Sequence, residues 1–101
     1  MRLRDTRRLT ADSDKRGDEF SKAREAWQQT PLSETLRRRC IEHAKAYEAA
    51  LDSEIEFLES MEQSAETQYA LTRAKIYKRL LARQMARIAS VRDQQYPSEE
   101  A

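Results

Sequence analysis

The chain has 101 residues and carries 19 Lys and Arg against 18 Asp and Glu, which leaves a formal net charge of only +1. That length suits one domain, and the balance of charge excludes a chain that is polybasic throughout. One Gly, two Pro and a single Val exclude a sheet built on hairpins, since tight turns need residues at positive φ and strands favour β-branched side chains. The fold class expected is therefore all-α, a long antiparallel helical hairpin, coiled-coil-like, preceded by a short helix and a flexible basic N-terminal arm.

Residues 1–16 hold six bases, Arg2, Arg4, Arg7, Arg8, Lys15 and Arg16, against three Asp, with Leu3 and Leu9 as the sizeable apolar groups. So little apolar surface does not offset the entropy of ordering the segment, and it reads as a flexible basic arm. Over residues 17–30, Phe20, Ala23 and Trp27 recur at helical spacing behind Asp18 and Glu19, which predicts a short amphipathic helix of about three turns. Thr30 and Pro31 interrupt it, because the residue before a proline avoids helical φ/ψ while proline suits a first turn. Thr30 or Ser33 then becomes the N-cap of the next helix.

Residues 33–96 contain neither Gly nor Pro, and one straight helix of that length would run about 96 Å. One apolar stripe follows Leu36, Cys40, Ala44, Tyr47, Leu51, Ile55, Leu58, Met61, Ala65 and Tyr69; a second follows Ala74, Tyr77, Leu81, Met85, Ile88 and Val91, out of phase with the first. The phase break and the polar stretch around Ser64 and Thr67 place a turn near 62–72, within a hairpin spanning 31–96, with an acidic tail over 97–101. Residues 33–66 carry nine acids and four bases, and residues 67–101 carry seven bases and three acids. Folding back would set Glu54, Glu56, Glu59, Glu62 and Glu66 beside Arg73, Lys75, Lys78, Arg79 and Arg83. Such exposed pairs are worth up to about 1 kcal/mol each, so they select the antiparallel orientation more than they stabilise it.

Ile41, Phe57, Ile76 and Leu80 lie beside these stripes, and a two-helix hairpin would leave them wet. They are the expected oligomer interface, with Phe20 and Trp27 as the expected partner contacts, unless the short helix covers that face itself. Cys40 and His43 share one helical face, but a tight metal site needs three or four ligands, and Glu59, Glu62 and Glu66 read as a solvated acidic face. No cofactor, metal or catalytic residue is expected, and a single glycine excludes phosphate-loop and dinucleotide signatures. No apolar run approaches the roughly 20 residues of a membrane span. A start without the hydrophobic segment of a signal peptide reads as cytoplasmic, and a lone Cys40 agrees.

These features point to a non-enzymatic, self-associating helical adaptor or assembly protein that binds a partner protein. The alternative is an oligomeric subunit that contacts phosphates without sequence preference, through Arg2, Arg4, Arg7 and Arg8 of the arm and the row Arg79, Arg83 and Arg87. In layout alone, a basic N-terminal segment, a hairpin and a short acidic tail resemble the small terminase subunits of tailed phages. Residues 1–29 are too short for the N-terminal DNA-binding helical domain that such subunits carry.

Overall fold

Three α-helices follow one another in the computed structural model, α1 (Arg2–Gln29), α2 (Glu34–Ser60) and α3 (Ala65–Gln95). The described residues are 2–95, with side chains for 5–90; Tyr96 and the acidic tail over 97–101 lie outside them, as do the side chains of Arg2, Arg4 and Val91. Each break in the helices has a local cause. After Gln29 the chain turns through Thr30 and Pro31, and Ser33, at φ −80° and ψ 109°, caps α2 by accepting the Leu36 N–H on its Oγ at 3.2 Å. Met61 leaves α2 with extended backbone, and Ser64 caps α3, its Oγ accepting from Thr67 N at 3.1 Å. The link between α2 and α3 is thus residues 61–64, at the early edge of the turn placed at 62–72.

The N-terminal segment differs from the sequence expectation. Residues 1–16 were expected to be a flexible arm and 17–30 a separate short helix, whereas one helix runs from Arg2 to Gln29. Its inward side explains why. Thr6, Thr10, Ser13, Gly17, Phe20, Arg24 and Trp27 recur in steps of four and three, and none of them is exposed. The first half of this seam is small and polar, and it docks by hydrogen bonds rather than by apolar bulk. Thr10 and Ser13 both donate to the Glu54 carboxyl, at 2.7 and 2.9 Å, and the Thr6 hydroxyl meets Met61 Sδ at 3.4 Å.

The same step pattern appears on the other helices. On α2 the seam is Arg37, Cys40, Ala44, Tyr47, Leu51, Glu54, Leu58 and Met61; on α3 it is Thr67, Ala70, Ala74, Tyr77, Leu81, Gln84 and Ile88. Arg37, Glu54 and Gln84 hold seam positions where hydrophobicity alone favoured Leu36, Ile55 and Met85, which pack at the edges of the core. Ala65 and Tyr69, assigned to the first stripe, are exposed, because the helix breaks before they are reached. Phe20, Leu51, Leu58 and Leu81 are fully buried, and each contributes about 1.5–3 kcal/mol relative to exposure.

Helix α2 is central, with α1 and α3 both packed along it. The radius of gyration is 16.1 Å and the extents are 53 × 17 × 17 Å, against about 13 Å for a compact domain of this length, so the three helices form a rod. Lys75 lies 3.7 Å from Glu59, and Lys78 pairs with Asp52, so α3 runs back along α2. Other expected pairings are not made. Glu54 faces α1, Arg73 reaches across to Asp14 at 3.0 Å, and Arg79 and Arg83 have no acidic partner among the described residues.

Candidate functional site

The expected surface residues divide sharply on folding. Phe20 and Trp27, assigned to partner contact, are only 2% and 7% exposed and belong to the core, because α1 closes over the face that a two-helix hairpin would have left open. Ile41 is half-buried against that core for the same reason, and Phe57 is also half-buried. Ile76 and Leu80 remain 46% and 45% exposed, and Tyr69 is 74% exposed. All three are on α3. Of the four residues expected at the interface, Ile76 and Leu80 stay exposed, and Tyr69, assigned in the sequence to the first stripe, adds a third apolar side chain to that face of α3.

Leu80, at one end of that strip, lines an open groove. Because α1 and α3 meet through long side chains, the space between them stays wide, and a cleft of about 410 Å³ lies there. Asp14, Asp18 and Ser21 of α1 form one wall, Arg73, Leu80 and Gln84 of α3 form the other, and Tyr47 of α2 helps line it. The Arg73 guanidinium ties the walls together, bonded to Asp14 and stacked 4.8 Å over the Tyr77 ring. Burial works against its charge, but the bond to Asp14 and the charge of that carboxylate prevail, and its pKa moves up. Tyr47 is pushed up by burial first, then by Tyr77 and Asp14, which keeps its phenol protonated.

Gly17 sets how close the ring of Tyr47 can come. A Cβ at that position would lie 2.8 Å from Tyr47 Cζ, so the absence of a side chain lets the ring lie against α1, with its centroid 6.3 Å from that of Phe20. Farther along the same groove, a smaller cavity of about 110 Å³ is lined by Arg24, Trp27, Gln28, Gln84, Arg87 and Ile88. Gln84 lines both spaces.

Of the basic residues, Arg79, Arg83 and Arg87 are exposed on α3, without an acidic partner among the described residues. Arg7 and Arg8 are exposed as well, but they stand in the first turns of α1, near the end where Thr6 meets Met61. Arg87 lines a cavity with Trp27 and Gln28 at the other end of α1. The two basic clusters are therefore apart, not one track. Cys40 is fully buried, and burial raises its thiol pKa, while the half-buried His43 shares a shallow surface depression with Lys22 and Arg39. Among the described residues no three His, Cys, Asp or Glu side chains gather as a metal site, and no helix is long and apolar enough to cross a membrane. Arg24, Gln28 and Gln84 were not singled out in the sequence, for they are polar residues at ordinary helical spacing whose convergence depends on how α1 and α3 face each other.

No protein-family model, curated protein or solved structure matches the chain.

Proposed function

We propose that the chain is a non-enzymatic helical adaptor that self-associates and holds a partner protein, with the α1–α3 face as its working surface. Its α2–α3 unit acts as a coiled-coil-like hairpin, and α1 is the third member that shapes the groove. The observation that carries this reading is the exposure of three large apolar side chains, Tyr69, Ile76 and Leu80, on one face of α3, with Leu80 lining an open groove, since large exposed apolar side chains gathered on one face mark an interface.

A second reading has an observation of its own, the exposed row of Arg79, Arg83 and Arg87 without acidic partners among the described residues. That row would contact phosphates and make the protein a nucleic-acid-associated subunit, such as a small-terminase-like DNA-packaging component. Light scattering coupled to size-exclusion chromatography, run at low and high salt with absorbance at 260 and 280 nm, separates the two. The adaptor reading expects an assembly or protein complex that persists at high salt and carries no nucleic acid. A monomer whose complex with nucleic acid dissolves as salt rises, with log K falling by about 0.9 per phosphate against log salt, would replace it.

A further inference from the structure

The small cavity at the Trp27 end of the groove has an unusual lining. Two guanidinium groups, Arg24 and Arg87, and two amides, Gln28 and Gln84, surround it, with Trp27 and Ile88 as its apolar part and no acidic residue in the wall. Arg24 is held 5.8 Å over the Phe20 ring, and neither arginine has a carboxylate partner among the described residues. The Trp27 indole N–H, in a side chain only 7% exposed, is buried without an acceptor. A buried donor left unmade costs free energy, and the side chain that carries it also lines this cavity.

We propose that this cavity binds a carboxylate side chain carried by an acidic amphipathic helix of a partner protein lying along the α1–α3 groove. The inference rests on the adaptor reading and names the chemistry of the partner. A volume of about 110 Å³ admits a carboxyl group and its methylene stem but no folded element. The helix itself would lie over the α3 edge of the adjoining cleft of about 410 Å³, with apolar residues against Leu80 and its acids toward Arg83 and Arg87, turned away from Asp14 and Asp18 on the α1 wall. Arginine forks match carboxylates in two-pronged geometry, and the Gln28 and Gln84 amides add neutral donors. The occupant of this cavity is not the α3 of a second copy, whose exposed charges beside the apolar strip are the bases Arg79, Arg83 and Arg87 and supply no carboxylate.

The chain has a single Trp, so the ¹⁵N-labelled protein gives one indole resonance that reports on this site. The probe is a three-heptad peptide, acetylated and amidated at its ends, with Leu on one face and Glu on the other, compared with its Glu-to-Gln counterpart. The Glu peptide is expected to shift the Trp27 indole signal and to bind about tenfold more tightly than the Gln peptide. Arg87→Gln, an exposed change that keeps the far-UV spectrum, should erase that preference. Arg24→Gln should likewise weaken the Glu peptide and leave the Gln peptide unchanged. Equal affinity for both peptides would overturn the carboxylate site while leaving the groove as a docking surface. Failure of both peptides to bind would overturn the partner-helix reading with it. Arg87-dependent binding of a short DNA duplex, with the indole unmoved and both peptides inert, would assign the row to phosphates.

Discussion

Glu54 is 2% exposed, yet its carboxyl accepts two hydroxyl hydrogen bonds from α1 and no cation reaches it among the described residues. Such a group is held by its partners rather than by burial, so removing them should cost more than replacing all three groups together. Thr10→Val with Ser13→Ala is expected to lower the unfolding free energy by about 3 kcal/mol, and adding Glu54→Leu to restore most of it, read from urea denaturation followed at 222 nm. Gly17 offers a second residue-scale test. Alanine is favoured over glycine inside a helix by about 1 kcal/mol, but its Cβ would press on the Tyr47 ring, and overpacking costs about 1–3 kcal/mol. Gly17→Ala should therefore destabilise the native chain and stabilise the Tyr47→Leu variant; a gain in both backgrounds would mean that the ring yields freely. At the start of α2, the two hydrogen bonds from Arg37, at 2.9 and 3.0 Å, hold the Glu34 carboxyl below the usual carboxylate range, against the opposing effect of burial. A folded-state pKa below the unfolded one adds stability above the unfolded value, and that stability is lost as pH falls through the folded value. The wild type should thus lose its advantage over Glu34→Gln on acidification, with the two stability curves converging at low pH.

At the scale of the helix, α1 is two different halves joined end to end. From Phe20 onward it buries aromatic rings, whereas Thr6, Thr10, Ser13 and Gly17 supply little apolar area. Native-state hydrogen exchange should accordingly show amides of residues 6–16 opening at lower free energy than those around Leu51 and Leu58 in α2. Equal protection in both would show that the hydroxyl contacts to Glu54 hold as firmly as an apolar seam. The periodicity of α3 was legible because Ala74, Tyr77, Leu81 and Ile88 are apolar at their seam positions. That of α1 was not, since a hydroxyl or a glycine at a seam position has no hydrophobic signature. Its fit depends on a carboxyl 44 residues away in sequence, from Thr10 to Glu54.

For the molecule as a whole, the division between core and free surface can be tested directly. Leu51 and Leu81 are each 1% exposed, so a glutamate at either position buries a charge without a partner and should unfold the chain. Ile76→Glu with Leu80→Glu changes the exposed strip of α3, and helicity should persist while self-association is lost, as measured by circular dichroism and light scattering. Equal loss of helicity in both sets would mean that the strip belongs to the core.

Composition alone determined that this chain is helical, for one glycine and one valine leave no means to build a sheet, while the sequence left the caps between Thr30 and Ser33 and between Ser64 and Thr67, and the fold uses Ser33 and Ser64. It also determined that α3 carries more bases than acids, since charge is a property of residues and needs no fold. Only the tertiary structure decided that residues 5–16 join the rod, that Phe20 and Trp27 turn inward, and that Arg24, Gln28, Gln84 and Arg87 converge on one cavity. Those outcomes depend on the rotation of one helix against another. Along a single helix a polar seam position and a solvated one look alike, and the distinction arises only when a partner such as Glu54 is brought opposite.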